Sequence, residues 1–169
     1  MRAARQLVGV DRIALLGSVL TEKARPKDVD VLVSVNDGID FAVLARLGRR
    51  LQGTAQARIN SGADIFLADA RGAYLGRVCH YRACHPRARC HAHNCGIRPH
   101  VADDFDVVQL KPELIVAPPL QVFPTIFAQD AIPADVEFLL LRPLKQQHAV
   151  AGPTHGAAAV AVIPFAESE

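Results

Sequence analysis

The sequence contains no tryptophan, a single methionine and few aromatic residues, which make up 5% of its 169 positions. Proteins that bind single-stranded nucleic acid by stacking the bases need aromatic side chains, so this composition argues against that mode of binding. Prolines, histidines or charged residues interrupt every apolar stretch, so we expect no membrane-spanning helix and no membrane partner. Residues 1–8 lack the apolar core and cleavage site of a signal peptide, which predicts a cytoplasmic location.

Acidic residues are missing from one stretch of the chain. Residues 71–102 carry six arginines and no Asp or Glu, whereas residues 103–169 carry nine acidic residues against three basic ones. The positive charge is therefore local, and the chain does not resemble a uniformly basic nucleic-acid coat. The arginines either hold an anionic partner, such as tRNA or the phosphates of a nucleotide, or offset the acidic part of the same molecule.

The overall composition is typical of a globular domain, because half of the residues are apolar and 21% are charged. We divide the chain into a core at 1–70, a segment rich in Cys, His and Arg at 71–102, a proline-rich completion of the domain at 103–145 and a loosely ordered tail at 146–169. The length suits one domain with a sizeable core.

Hydrophobic patterning predicts alternating strands and helices in the core. Asp40 is a plausible N-cap for an amphipathic helix that ends near Gly53. Four strands are predicted, the last two joined as a hairpin across Asn60, Ser61 and Gly62: 12–16, 29–35, 55–59 and 63–67. Further short strands are expected at 106–110 and 114–116, and the prolines after residue 101 argue against long helices. The pattern indicates an α/β (α+β) fold.

Three acidic residues of the core occupy positions that need an explanation. Asp28 and Asp30 are two residues apart at the head of a predicted strand, so their side chains lie on the same face. Two neighbouring carboxylates repel each other, and a hard divalent cation such as Mg²⁺ neutralises them. Asp64 stands inside another apolar strand. Upstream, a strand ends at Gly17 and Ser18.

This order of Gly-Ser, about ten residues, Asp-x-Asp and a later strand with a third Asp resembles the nucleotidyltransferase superfamily of the DNA polymerase β type. The small "minimal" bacterial members are the most similar, over about residues 12–69. The resemblance implies a mixed sheet with flanking helices, in which the Gly-Ser pair ends a strand and begins a helix.

The resemblance also implies roles for individual residues. Gly17 and Ser18 would bind the nucleoside triphosphate, Asp28 and Asp30 would hold two Mg²⁺ ions, and Asp64 would help to activate the acceptor hydroxyl. In-line phosphoryl transfer between two metal ions is consistent with such a set. The basic residues that follow Gly-Ser in the small bacterial members are absent, and the later basic residues of this chain are candidates to replace them: Lys23, Arg25 and Lys27.

The segment 79–95 contains all four cysteines, spaced C-x4-C-x5-C-x4-C, with histidines among them. Thiolate and imidazole groups are zinc ligands, and four of them form a closed structural site. Two disulfides, or reduced thiols with scattered histidines, are the alternatives. We predict a structural Zn²⁺ in an insertion of the domain, with four preferred ligands and three substitutes: Cys79, Cys84, Cys90 and Cys95, then His85, His91 and His93.

Together these patterns predict Mg²⁺-dependent transfer of a nucleotidyl group from a nucleoside triphosphate to an acceptor hydroxyl. The acceptor is left open between a small molecule, a protein and RNA. The alternative is a catalytically inactive, zinc-stabilised module that binds nucleic acid or a protein partner. The intact set of three acids favours the enzyme, and the missing basic residues after Ser18 favour the module.

Overall fold

A computed structural model describes residues 2–82, 98–103, 105–129 and 131–150, which form a mixed α+β fold. Seven strands make one sheet in the order β5-β4-β3-β2-β1-β6-β7. Their bounds are β1 Val10–Leu16, β2 Asp28–Val35, β3 Gly62–Asp69, β4 Tyr74–Val78, β5 Val101–Ala102, β6 Leu120–Phe123 and β7 Phe127–Ala128. Core, Cys/His segment and proline-rich part thus contribute strands to the same sheet.

Neighbouring strands are antiparallel except for β2 and β3, which run parallel. A parallel pair needs a crossover connection, and helix α1, Phe41–Ile59, supplies it. Asp40 caps α1 as predicted, because its side chain accepts hydrogen bonds from the backbone N–H groups of Ala42 and Val43. The helix ends at Asn60, which adopts the left-handed conformation.

The predicted hairpin across residues 60–62 is wrong. Residues 55–59 form the last turns of α1, and the strand after the turn pairs in parallel with β2. The prediction that the helix ends near Gly53 is also wrong, because α1 continues through Gly53 to Ile59. A glycine inside a helix costs only about 1 kcal/mol relative to alanine, which the packing of α1 offsets.

The proline-rich part also differs from expectation. Residues 106–110 form turns and irregular backbone, and the predicted strand at 114–116 belongs to a short helix, α2, Pro112–Val116. A helical run follows as α3, Ala134–Val136, a π-helical turn, Glu137–Leu141, and α4, Arg142–Val150. The π-helical turn ends two residues before Pro143, whose missing N–H interrupts the regular helical hydrogen bonds. The wider turn accommodates this interruption without ending the helical run.

The predicted tail at 146–169 begins inside this helical run. Its first residues, 146–150, belong to α4, so the loosely ordered segment does not start at residue 146. The remainder of the predicted tail, 151–169, lies outside the described residues.

An apolar cluster covers each face of the sheet. One face packs under α1 through a cluster that includes Ile13, Val33 and Leu67 with Leu44 of the helix. The other face carries a smaller cluster built on Leu16, Leu32 and Phe66, covered by Ile115 of α2. Arg12 holds α2 in place, because its guanidinium donates to the backbone carbonyls of Ile115 and Val116 and to the Ser34 hydroxyl. No helix in the described ranges has the length and apolarity needed to cross a membrane.

Candidate functional site

The three predicted acids lie together at the N-terminal ends of β2 and β3. Asp30 and Asp64 are direct partners in the parallel register of these strands, and Asp28 is partnered by Gly62. Since in-register residues of parallel strands point to the same face, all three carboxylates project from one side of the sheet. It is the side of Leu32 and Phe66, opposite α1.

Gly17 lies against this group and makes room for it. Its φ of +72° is a left-handed conformation, and a Cβ there would sit 2.5 Å from Oδ2 of Asp30. The glycine therefore permits both the turn after β1 and the close approach of the Asp30 carboxylate. The following helix is a single 3-10 turn, Gly17–Leu20, which is shorter than the helix that the family resemblance implies.

Ser18 fixes the loop between β1 and β2. Its Oγ accepts a hydrogen bond from the backbone N–H of Lys27 at 3.0 Å and lies 3.5 Å from the carbonyl oxygen of Asp28, to which it donates. The hydroxyl thus joins the end of β1 to the start of β2. Lys23 and Arg25 are exposed in this loop.

Asp28 and Asp30 form neither hydrogen bonds nor ion pairs through their carboxylates within the described part of the chain. The pKa of Asp30 is raised to about 6, first by burial and then by the negative charges of Asp28 and Asp64, while Arg77 opposes the rise. Two adjacent carboxylates without a protein cation of their own are a donor set that suits a hard divalent ion.

Asp64 has a different environment. Its Oδ1 lies 3.3 Å from Nε2 of His80 and 3.4 Å from Nη1 of Arg77. The hydrogen bond from His80 lowers the pKa of Asp64, burial opposes that, and the charge of Arg77 lowers it again. Asp64 is thus ionised and held in place by two side chains, so it does not fit as a further metal ligand unless these contacts break.

Arg77 and His80 were not predicted as partners of Asp64. Arg77 reaches it because β4 pairs antiparallel with β3 and sets Arg77 opposite Phe66, on the face of the acids. His80 follows two residues after the end of β4. The sequence contains only a weak signal, an arginine within the short run Tyr-Leu-Gly-Arg-Val at residues 74–78, and the strand pairing is needed to show what this arginine contacts.

The predicted zinc ligands fall mostly outside the described residues: Cys84, Cys90 and Cys95, with His85, His91 and His93. Cys79 is described and buried, with 8% of its surface exposed. Its backbone N–H donates to the carbonyl oxygen of His100 at 2.7 Å, directly beyond the Val78–Val101 pair of β4 and β5. Among the described residues, no three His, Cys, Asp or Glu side chains group closely enough to hold a metal ion.

Comparison of the chain with protein-family models, curated proteins and solved structures found no match.

Proposed function

We propose that this protein is a nucleotidyltransferase that moves a nucleotidyl group from a nucleoside triphosphate to an acceptor hydroxyl, on a sheet of the DNA polymerase β type. One observation carries the proposal: Asp28 and Asp30 project from one strand without partners in the described part of the chain, beside Gly17 and next to an ionised Asp64 on the neighbouring strand. Two neighbouring carboxylates without an ion-pair partner among the described residues are costly for the fold, and a bound cation would offset that cost.

Asp28 and Asp30 fit the metal because their oxygens are the hard donors that Mg²⁺ prefers and no protein cation among the described residues pairs with them. When bound, Mg²⁺ neutralises charge on the phosphates and on the entering and leaving oxygens. Gly17 and Ser18 border the carboxylates at the end of β1, where the triphosphate would lie. Lys23 and Arg25 are the exposed basic groups that would balance its charge.

Asp64 orients the acceptor hydroxyl rather than removing its proton. A carboxylate whose pKa is lowered by His80 and Arg77 is a weak base, but it is fixed in position and ionised at neutral pH. Its Oδ1 contacts both partners, so Arg77 and His80 are positioning residues that act through Asp64.

Manganese binding tests the metal site without any knowledge of the acceptor. We expect Mn²⁺, followed by electron paramagnetic resonance, to bind the protein, and Asp28→Asn or Asp30→Asn to weaken binding by about tenfold or more. Asp37→Asn removes an exposed carboxylate from the turn after β2 and is the matched control. If all three variants bind Mn²⁺ like the unmodified protein, the site is not a metal site.

The second candidate is a catalytically inactive module that binds a nucleic acid or protein partner. Its support is the pairing of Asp64 with Arg77 and His80, together with the single 3-10 turn after Gly17, which offers fewer free N–H groups to a triphosphate than a long helix. This candidate predicts no Mn²⁺ affinity at Asp28 and Asp30, so the same titration separates the two.

We also propose that the Cys/His segment holds a structural Zn²⁺, with Cys79, Cys84, Cys90 and Cys95 as ligands in a reducing, cytoplasmic setting. Between Cys79 and His100 the chain has few large apolar side chains, so burial alone does not offset the entropy of ordering it. Elemental analysis of protein purified without chelator should find about one zinc per chain. Metal-free protein in which this segment resists protease under reducing conditions would contradict the proposal.

A further inference from the structure

A cavity of about 350 Å³ lies between the sheet and helix α1, on the face opposite the three acids. Leu47 and Leu51 of α1 form one wall, and Ala3 and Ala4 line the N-terminal side. The floor consists of four buried aliphatic side chains from the central strands: Ile13, Val31, Val33 and Ile65. Protein cores leave few voids larger than one water molecule, so ordinary packing does not explain a space of this size.

The open side of the cavity is positively charged. Arg2 and Arg50 are exposed there, and no acidic side chain is among the described residues that line the cavity. Neither guanidinium forms an ion pair with any residue that the structure describes. One exposed arginine is ordinary, but two without a counter-charge at the opening of an apolar cavity suit an anionic group.

Helix α4 holds the first of these arginines in place. In the amide orientation that satisfies both partners, the side-chain oxygen of Gln147 accepts hydrogen bonds from Nε and Nη2 of Arg2, at 3.2 and 2.7 Å. The amide is neutral, so this contact positions the guanidinium and leaves its charge uncompensated. Arg2 is therefore already fixed at the opening before a ligand arrives, which reduces the entropy that binding has to overcome.

We propose that this cavity binds a small amphipathic anion, with an apolar chain of medium length inside and a carboxylate or phosphate head group at Arg2 and Arg50. The chain covers the aliphatic floor and removes it from water, which is favourable in proportion to the area covered. The head group receives charge-assisted hydrogen bonds from the two guanidinium groups, and arginine binds carboxylate and phosphate in the same geometry.

The proposed ligand site is separate from the proposed active site. Val31 and Ile65 project into the cavity, whereas their chain neighbours Asp30 and Asp64 project from the other face of the sheet. The sheet lies between the two sites, so the inference goes beyond the proposed function and does not depend on it.

Isothermal titration calorimetry of the full chain with decanoate, below the concentration at which decanoate forms micelles, tests the inference. We expect one ligand per chain, a negative heat-capacity change from burial of the apolar chain and an affinity that falls as salt is added. 1-Decanol has the same chain without the charge and should bind about tenfold more weakly or worse. Decyl phosphate distinguishes the two head groups: tighter binding of either anion identifies the natural head group and supports the inference.

The arginine variants test the contact with the head group. Arg50→Ala should weaken decanoate binding by about tenfold and leave decanol binding unchanged, because it removes a contact with the charged group alone. Arg50→Lys keeps the charge and should retain most of the affinity at low salt. Arg58→Ala is the matched control, since it removes an exposed arginine of the same helix about 12 Å further along and outside the cavity lining. It should change affinity less than about twofold.

A separate variant tests the cavity. Thr54 is exposed at its open side, so Thr54→Phe should keep the fold, which circular dichroism checks, and its ring should exclude decanoate and decanol alike.

Three results would overturn the inference: no decanoate binding by the unmodified protein, equally tight binding of decanol, or equal losses in Arg50→Ala and Arg58→Ala. A chain that binds no decanoate and sediments as a dimer would instead assign this apolar face to a second copy of the chain.

Discussion

Replacing Asp30 with asparagine should abolish the proposed Mg²⁺-dependent nucleotidyl transfer and, at the same time, stabilise the metal-free protein at neutral pH. The loss arises because the variant lacks a charge that holds the metal, and several kcal/mol of charge stabilisation in the transition state corresponds to a rate loss of about 10³-fold. Transfer of label from an α-labelled nucleoside triphosphate, together with release of pyrophosphate, measures it. Asp37→Asn should retain the full rate.

The metal-free variant is expected to be more stable than the unmodified protein because the ionised Asp30 carboxylate destabilises the folded state. Its pKa of about 6 in the folded protein exceeds the ordinary value, so the folded state binds this proton more tightly than the unfolded state. The unmodified protein therefore loses stability as the pH rises from about 4 through 6. The asparagine side chain does not titrate, so the variant gains little at pH 4 and about 1–2 kcal/mol at pH 8, after allowance for solvent screening.

Chemical denaturation at pH 4 and pH 8 in the presence of a chelator measures this difference. A variant that is less stable than the unmodified protein at pH 8 would show that Asp30 is stabilised by its surroundings. In that case the Asp30 carboxylate would not need a bound cation to stabilise it in the folded protein.

Replacing Gly17 with alanine should damage both the fold and the metal site. The left-handed backbone at Gly17 costs a residue with a Cβ about 1–2 kcal/mol, and the added atom would meet Oδ2 of Asp30 at 2.5 Å. The carboxylate must turn away, so Mn²⁺ affinity falls together with the free energy of unfolding. Denaturant titration and the Mn²⁺ measurement on the same sample detect the two effects.

Gly53→Ala is the control of opposite sign. Gly53 lies inside α1 with nothing within 4 Å of its Cβ position, so alanine there should stabilise by about 0.5–1 kcal/mol. In an Asp30→Ala background, Gly17→Ala should cost only its backbone part, because the clash partner is gone. An equal cost in both backgrounds would mean that Gly17 and Asp30 are not in contact.

The placement of Asp28 and Asp30 on one face could be predicted from the sequence because it depends on local patterns. Alternation put Asp28 and Asp30 on one face, β-branched residues indicated β2, and punctuation by Gly17 and Ser18 ended β1. The arrangement of Asp64 beside Asp30 depends on the parallel pairing of β2 and β3, which the wrong hairpin across residues 60–62 did not predict.

The rest of the site depends on contacts between distant parts of the chain. Arg77 and His80 meet Asp64 through the pairing of β4 with β3, and local sequence patterns do not specify that pairing. The predictions for the proline-rich part were wrong because prolines were taken to exclude helices there. In the structure, Pro112 begins α2, and the last helical run continues past Pro143 after a π-helical turn. A proline stops a helix only where its missing N–H has to be replaced and no local rearrangement supplies the space.

The hydrogen bond between Cys79 and His100 has a consequence for how this protein can diverge. It extends the pairing of β4 with β5 by one hydrogen bond beyond the Val78–Val101 pair, so residues 79 and 100 are held side by side at the end of these strands. Closing a longer connection costs little, about 0.6 kcal/mol for each doubling of its length. Insertions or deletions between Cys79 and His100 should therefore cost the sheet little stability, provided that the pairing of β4 with β5 is kept.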